Sequence, residues 1–301
     1  VSAAWLCLRG RKRLTTYVCA AVLLMASAGL YQAYLQVFTA LVMVWAAIRL
    51  LEGDSLRDTL MRLYPRCGGS IAALGMGMGL FLAVYHIVLA ATGIAPEAGQ
   101  NGMANLGDFE GVFVPKLLLN TWLYPIEHLF SMQGANPFWA RAALIFSLLY
   151  GVGATAYVMR RSGLDRGSRM AATLILLLLP AGMNWIYLFS KEFIHDLMMY
   201  AYVAAPIYAV VVSEIAWDLA LGDVQFVSTR KRALAYALPL AVCLLLLDRT
   251  IYANRLYLKK DLEYDGMQSV MTRVLDRVEQ LDGYEPGETP VCCIGKVSRS
   301  P

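Results

Sequence analysis

Long runs of apolar residues recur along this chain, and they constrain its fold more than any other feature. A helix needs about 20 mostly apolar residues to cross the roughly 30 Å hydrocarbon layer of a bilayer. Seven runs approach that length, at residues 15–30, 32–51, 69–94, 138–159, 170–189, 197–221 and 233–252. The sequence therefore predicts an all-α polytopic membrane protein with about seven transmembrane helices.

The composition agrees with a lipid environment. Apolar residues make up 58% of the chain and charged residues 16%, whereas about a quarter of the residues of a soluble domain are charged. The net charge of +4 is concentrated in short clusters between apolar runs, which indicates anionic lipid and not nucleic acid as the partner surface. The six cysteines show no CxxC spacing, so neither a zinc site nor a disulfide framework is indicated.

The first two runs are separated only near Tyr31 and Gln32. Two helices joined by a tight turn fit this spacing. One long tilted or broken helix fits it as well, although a helix of that length is too long to span a bilayer without a turn. Both alternatives stay open at the level of sequence.

Basic residues mark alternate connections between the runs. Cytoplasmic segments near helix ends collect Lys and Arg. The clusters precede the first run and follow the second, fourth and sixth: Arg9, Arg11, Lys12, Arg13; Arg49, Arg57, Arg62, Arg66; Arg160, Arg161, Arg166, Arg169; Arg230, Lys231, Arg232. Seven crossings with that alternation predict that these connections are cytoplasmic and that the C-terminal tail lies outside the cell.

Two amphipathic segments predict helices that lie on the membrane surface. The outer one covers 116–130, where Trp122 and Tyr124 suit the headgroup layer. The inner one covers 52–66 and is expected to end at Pro65.

The composition becomes more polar after residue 252. Apolar residues at helical spacing over 254–281 predict an amphipathic helix that Asp282-Gly283 ends, and 289–294 is a short β-prone run. We therefore predict a transmembrane bundle at 1–252 and an incomplete extracytoplasmic α/β tail at 253–301. The chain also begins at Val1 in an apolar stretch, which predicts a fragment of a longer protein.

The usual nucleotide and hydrolase motifs are missing from the sequence. It contains no Walker A loop, GxSxG elbow, HExxH or dinucleotide-binding GxGxxG pattern. The Gly-Met-Gly-Met-Gly sequence at 75–79 lies inside an apolar run, where small residues allow helices to approach closely. We interpret it as a helix-packing segment and not as a phosphate loop.

The densest polar cluster lies between the fifth and sixth runs. Lys191, Glu192, His195 and Asp196 fall within it, and such groups at membrane depth suit phosphate binding, orientation of a sugar hydroxyl or proton transfer. An ordinary polar loop is the alternative. Two further basic residues near the same predicted face could form, together with Lys191, a pocket for a lipid phosphate. These two residues are Arg141 and Arg249. The alternative is that each of these side chains merely extends from a helix end toward the membrane surface.

Asp108 and Glu110 are the best paired carboxylates of the predicted outer side. Two carboxylates at i and i+2 in a glycine-rich loop suit a catalytic base with its partner, or a divalent cation. Solvated loop acids are the alternative, and no dedicated metal site is predicted.

Several stretches resemble the bacterial and phage Gtr-type membrane glucosyltransferases, which modify surface polysaccharides. The matching residues are Gly29-Leu30-Tyr31-Gln32-Ala33-Tyr34, Asn184-Trp185 through His195, Tyr200 to Tyr208, Tyr252-Ala253-Asn254-Arg255-Leu256-Tyr257, Glu263-Tyr264 and Arg273 to Glu279. The resemblance implies a bacterial plasma-membrane enzyme of the GT-C type, with Tyr31 and Gln32 in a substrate loop.

The same resemblance implies the reaction. The enzyme takes glucose, or another hexose, from a polyprenyl-phosphate carrier and transfers it to an outward-facing glycan, with no cofactor implied beyond that donor. Basic residues hold the donor phosphate, since the phosphate leaves as an anion. The catalytic acid of such enzymes lies in a first outer loop, expected upstream of Val1, so the chain alone is expected to be inactive. A flippase for a lipid-linked sugar and a non-catalytic scaffold subunit are the alternatives.

Overall fold

The computed structural model describes residues 1–9, 14–32, 34–53, 55–94, 114–131, 137–189, 196–221 and 229–285, and every regular element in these ranges is helical. The α-helices are α1 (Ser2–Arg9), α2 (Leu14–Leu30), α3 (Tyr34–Glu52), α4 (Leu56–Thr92), α5 (Val114–Ser131), α6 (Pro137–Arg161), α7 (Arg166–Met183), α8 (Ala204–Leu221) and α9 (Thr229–Glu279). Two 3₁₀ helices, Trp185–Phe189 and Asp196–Val203, lie between α7 and α8. The predicted all-helical class is confirmed for these ranges, and the predicted strand at 289–294 lies outside them.

Within the described residues, five helical stretches are long and apolar enough to cross a membrane. They are Tyr34–Glu52, Leu56–Thr92, Phe138–Arg161, Met199–Ala220 and Ala235–Glu279. Helix α2 is apolar but has only 17 residues, and α7 begins with two arginines, at 166 and 169. A multi-pass helical bundle is therefore confirmed, while seven crossings stay a prediction.

Helices α2 and α3 are separate and antiparallel. The turn between them is closed by backbone hydrogen bonds, from Tyr31 N–H to the Ser27 carbonyl (2.9 Å) and from Leu35 N–H to the Gln32 carbonyl (3.0 Å). Both helices pack against α4. Of the two alternatives left open by the sequence, the tight turn is correct.

The prediction of a separate inner surface helix at 52–66 is wrong. Helix α4 runs without interruption for 37 residues and contains Pro65. A proline removes one N–H donor from a helix, but in a membrane bundle a neighbouring helix can compensate for this loss. The Tyr17 hydroxyl of α2 donates a hydrogen bond to the Pro65 carbonyl (3.1 Å), so α2 contacts α4 at the proline. The acceptor that Pro65 leaves without a helical donor is the carbonyl four residues earlier, at Met61.

The C-terminal helix also differs from the prediction. The segment 254–281 was expected to form a helix of its own, but it belongs to the 51-residue helix α9, which ends at Glu279. Gly283, with φ of 84°, follows the helix end. The chain divides into two compact units, Val1–Leu246 and Leu247–Pro301, and α9 contributes residues to both.

Helix α3 is the central helix of the first unit. It packs against α4, α7, α8 and the second 3₁₀ helix, and Leu35, Ala40, Ala47, Leu50 and Leu51 are almost fully buried. Its small residues allow close packing where helices meet without a strong hydrophobic driving force. Several other helices of this unit therefore pack around α3.

Glycines mark the closest helix contacts. A Cβ added at Gly77 of α4 would lie 2.8 Å from the Ala21 carbonyl oxygen of α2, whereas one added at Gly75 or Gly79 would meet nothing within 4 Å. The interpretation of 75–79 as a packing segment is thus confirmed at Gly77. Gly151 of α6 is a second contact of this kind, against α8.

Candidate functional site

Polar and aromatic side chains gather at the end of the bundle where α3 begins and α7 ends. The indole N–H of Trp185 donates to the Thr39 hydroxyl of α3 (3.1 Å). The rings of Tyr34 and Tyr200 lie 5.9 Å apart, which brings the second 3₁₀ helix to the same end. We call this end of the bundle the Tyr34 end and the opposite one, where α3 finishes, the Arg49 end.

Asn184 is the centre of this polar region. It is the C-cap residue of α7 and is only 1% exposed. Its amide nitrogen donates to the Thr121 carbonyl (3.2 Å), and its amide oxygen accepts from the Tyr202 hydroxyl (3.2 Å). Because a buried amide is costly unless it is hydrogen-bonded, these contacts hold α5, α7 and the second 3₁₀ helix together.

Helix α5 supplies three more side chains to this region, spaced four residues apart. The Asn120 amide lies 3.4 Å from the Tyr187 hydroxyl, the Tyr124 ring stacks on the Tyr187 ring at 6.1 Å, and the His128 ring lies 5.6 Å from that of Tyr202. The Asn184 cluster is defined here as Asn120, Tyr124, His128, Asn184, Tyr187 and Tyr202.

The sequence analysis missed the Asn184 cluster as a site. The signal was available, since Asn120, Tyr124 and His128 at i, i+4 and i+8 share one face of a helix. The expectation that Trp122 and Tyr124 lie in the headgroup layer stays a prediction. The Trp122 indole N–H donates to the Leu177 carbonyl of α7 (2.6 Å), because α5 packs against the bundle.

An apolar groove of about 560 Å³ lies beside the Asn184 cluster, between α5, α6, α7 and α8. Met183, the neighbour of Asn184, lines it, as do Pro125 and Leu129 on the helix that carries Tyr124. Its polar atoms include the hydroxyls of Thr155 and Tyr208, which hydrogen-bond to each other (2.8 Å). The groove thus offers an apolar surface that ends at a polar region.

The predicted substrate-loop residues Tyr31 and Gln32 lie in the turn between α2 and α3, at the Tyr34 end. The Tyr31 ring meets that of Tyr34 edge to face at 5.8 Å. Its hydroxyl is buried and has no hydrogen-bond partner among the described residues. Burial, with the neighbouring Tyr200 and Tyr34 hydroxyls, raises the pKa of Tyr31, so this group stays a neutral donor that a ligand can satisfy.

Most of the other predicted site residues are not described. Asp108, Glu110, Lys191, Glu192 and His195 lie outside the described ranges, and only the backbone of Asp196, the first residue of the second 3₁₀ helix, is described.

The two remaining predicted cations belong to different units. Arg141 is exposed in the second turn of α6, and Arg249 is half-buried on α9 in the second unit. Among the described side chains, no group of three His, Cys, Asp or Glu residues is arranged to hold a metal ion. The roles suggested for these residues by sequence stay predictions.

Apolar helices that can cross a bilayer, with polar side chains gathered at one end, define a multi-pass membrane protein with a candidate site at that end. A family model described as Glucosyl transferase GtrII matches residues 1–213 of the chain. The chain therefore belongs to the GtrII glucosyltransferase family, which confirms the resemblance seen in the sequence and indicates a membrane transferase. No curated protein and no solved structure matches it.

Proposed function

We propose that this protein transfers glucose, or another hexose, from a polyprenyl-phosphate carrier to a cell-surface glycan, and that the transfer takes place at the Tyr34 end. The observation that carries this proposal is the junction of the apolar groove with the Asn184 cluster. A lipid-linked sugar has the same two parts, a long hydrocarbon chain and a polar head.

The groove suits the hydrocarbon part of such a donor. Its walls are almost entirely apolar, and two of its four helices, α6 and α8, are long and apolar enough to cross the bilayer. Burying apolar surface contributes roughly 25 cal/mol per Å², so an isoprenoid chain gains affinity along the whole groove. Its phosphate and sugar would then lie near Met183, where the lining becomes polar.

The Asn184 cluster suits the polar head. Amide and hydroxyl groups of Asn120 and Tyr187 can hydrogen-bond to sugar hydroxyls, and aromatic rings present flat apolar faces to the C–H side of a pyranose. The segment 190–195 joins the two 3₁₀ helices that carry Tyr187 and Tyr202. This connection supports roles for Lys191 and His195 at the same end.

The reaction is a displacement at the anomeric carbon. The acceptor hydroxyl oxygen forms a bond to that carbon, the bond from carbon to the phosphate oxygen breaks, and the phosphate leaves with the electron pair. A base takes the hydroxyl proton, for which the candidates are Asp108, Glu110, Glu192, His195 and Asp196. Cations near the leaving phosphate stabilise its charge, a role we assign to Lys191 and Arg141.

Seven crossings from a basic cytoplasmic side put this site on the extracytoplasmic face. The described arginines at residues 49, 57, 62, 66, 160, 161, 166 and 169 all lie toward the Arg49 end of their helices. The Tyr34 end has few basic residues, as expected for the outer side. A bacterial plasma membrane, with the C-terminal tail outside, follows from this orientation and from the Gtr resemblance.

A transfer assay tests the proposal directly. Membranes that contain the full-length protein are expected to move radiolabelled glucose from polyprenyl-phosphate-glucose to a surface polymer. Replacing His195 or Lys191 by Ala should lower the rate by about 100-fold, the usual range for loss of a proton-transfer or charge-stabilising group. His86→Ala is the matched control, since His86 is exposed on α4 and should leave the rate unchanged.

Two results would contradict the proposal. Normal transfer by both the His195 and Lys191 variants would remove this segment from the site. Accumulation of the donor on one leaflet without transfer would favour the flippase.

A second variant tests the groove. Ala156→Trp places a large ring in it, since Ala156 lines the groove and is exposed, and we expect KM for a long-chain donor to rise about tenfold, a loss of roughly 1.4 kcal/mol of binding. A donor with a short isoprenoid chain should be affected much less. Val22→Trp, on the exposed face of α2, is the control; equal effects of both variants on both donors would exclude the groove as the lipid site.

A further inference from the structure

A polar cavity of about 270 Å³, separate from the apolar groove, lies at the Arg49 end of the bundle. The last turns of α3 and the first turns of α4 form its walls. Its lining includes Trp45, Arg49, Glu52, Thr59, Arg62 and Arg66. None of these residues belongs to the Asn184 cluster or to the groove, so the proposed transfer reaction leaves this cavity unexplained.

The aromatic ring of Trp45 organises two of the arginines. The guanidinium carbons of Arg49 and Arg66 lie 5.9 Å and 5.6 Å from the ring centroid. Arginine stacks well on aromatic faces, and such stacking limits the freedom of an otherwise mobile side chain. Two cationic groups from different helices are therefore held against the same aromatic ring.

The charges of the lining do not balance. Arg49 is paired with Glu52 through a 2.7 Å contact from Nη1 to Oε2. Arg62 and Arg66 have no ion pair with a described residue, and the Nε of Arg66 is buried with no hydrogen-bond partner among the described residues. An unsatisfied buried donor on a cation costs free energy that an anionic ligand can recover.

We propose that this cavity, named here the Trp45 pocket, binds the phosphate group of an anionic membrane lipid. The guanidinium groups of Arg49, Arg62 and Arg66 supply forked N–H donors, which match phosphate oxygens in geometry and charge. Thr59 adds a hydroxyl to the lining.

The position of the pocket favours a lipid as the source of the phosphate. It lies where the apolar helices α3 and α4 end and begin, which is the depth of lipid headgroups. Basic pockets between transmembrane helices at this depth are known to suit anionic headgroups.

The Trp45 pocket is too far from the Asn184 cluster to hold the phosphate of the same donor. Fifteen residues of α3 separate positions 34 and 49, which is roughly 22 Å along a helix at about 1.5 Å per residue. The lipid bound here is therefore a second ligand at the opposite membrane surface. This inference does not depend on the transfer reaction.

Binding to the purified full chain in neutral detergent tests the proposal. Phosphatidylglycerol and phosphatidylcholine with the same acyl chains are compared by native mass spectrometry and by thermal unfolding, with inorganic phosphate as a third arm. Phosphatidylglycerol should bind and raise Tm, as any ligand of the native state does. Arg62→Gln and Arg66→Gln should each weaken its binding by about tenfold, the loss expected for one charge-assisted contact.

Arg161→Gln is the matched control, because Arg161 is exposed at the same end of the bundle but does not line the pocket. It should bind phosphatidylglycerol like the unmodified protein. An unchanged Tm of the two pocket variants in phosphatidylcholine shows that they fold, and Arg62 is exposed, so its replacement leaves the packing intact.

Two results would overturn the proposal. An equal loss of binding in Arg161→Gln would assign the effect to general surface charge. Binding of inorganic phosphate without any preference for phosphatidylglycerol would overturn the assignment to a lipid.

Discussion

Asp165 lies in the connection between α6 and α7 and caps the N-terminus of α7. Its carboxylate accepts a hydrogen bond from the Ser168 backbone N–H (3.1 Å). Hydrogen bonding by Ser168 lowers the pKa of this carboxyl. The first N–H groups of a helix lack partners within the helix, and a capping carboxylate satisfies one of them and favours the positive end of the helix dipole.

The cap predicts a small acid-dependent loss of stability. Because the pKa is lower in the folded protein than in the unfolded chain, the contribution is complete above the ordinary Asp pKa of about 3.9 and disappears as the pH falls through the lower folded value. Asp165→Ala should lower Tm at neutral pH, as measured by thermal unfolding in detergent. Asp165→Asn keeps an acceptor and should show a weaker acid dependence than the native protein; an identical acid dependence would contradict the assignment.

Asn184 shows how a single residue gains its role from its surroundings. In the sequence it lies inside the apolar run 170–189, in a stretch that carries the Gtr resemblance. In the structure its side-chain amide bonds to two other elements. The nitrogen donates to the Thr121 carbonyl on α5, and the oxygen accepts from the Tyr202 hydroxyl in the second 3₁₀ helix. The positions of Thr121 and Tyr202 relative to α7 therefore depend on one buried amide.

At the scale of elements, α2 packs along α4 from Pro65 to Gly77. The two helices run side by side, and Gly77 allows the backbone of α2 to approach that of α4. Farther along the same contact, Tyr17 donates to the Pro65 carbonyl. Packing against α2 therefore accompanies the uninterrupted course of α4 through Pro65.

A pair of glycine substitutions tests this contact. Gly77→Ala adds a methyl group 2.8 Å from the Ala21 carbonyl oxygen, and we expect a loss of about 1–3 kcal/mol, typical of overpacking. Gly75→Ala meets nothing within 4 Å and should leave Tm unchanged or slightly raised, since Ala favours a helix over Gly. Equal Tm values for the two variants in detergent would argue against the close approach.

At the scale of the whole molecule, the two ends of the bundle differ in chemistry. The Arg49 end carries the basic residues and the Trp45 pocket, while the Tyr34 end carries the aromatic rings and the Asn184 cluster. Such polarity is expected of a protein that contacts the cytoplasm at one surface and the cell exterior at the other.

Thiol labelling tests the predicted orientation. A membrane-impermeant maleimide applied to intact cells should label single-cysteine variants that retain Cys292 or Cys293, and spare one that retains Cys67. Cys67 lies on α4, one residue beyond Arg66 of the Trp45 pocket, and the two C-terminal cysteines lie outside the described residues. Permeabilised cells are the control, and labelling of the tail only after permeabilisation would place it in the cytoplasm and move the proposed site to the inner face.

The sequence alone determined that the chain forms apolar helices, where most of them lie and which of their ends are basic. These features are local, because hydrophobicity and charge act through each residue and its near neighbours. The GtrII family was also recognisable from short stretches around Tyr31, Asn184 and Tyr200. The helical nature of 116–130 followed from its periodicity.

Tertiary structure decided which side chains meet. Asn184 bonds to residues 63 and 18 positions away in the chain, and Tyr17 bonds to a carbonyl 48 positions away. A helix that is apolar on every side does not reveal in its sequence which face it buries, so the Trp45 pocket was not predictable. For the Asn184 cluster, the shared face of Asn120, Tyr124 and His128 was predictable, but their contacts with the two 3₁₀ helices were not. The unbroken course of α4 through Pro65 was likewise not evident from the sequence, because a membrane bundle tolerates a proline inside a helix.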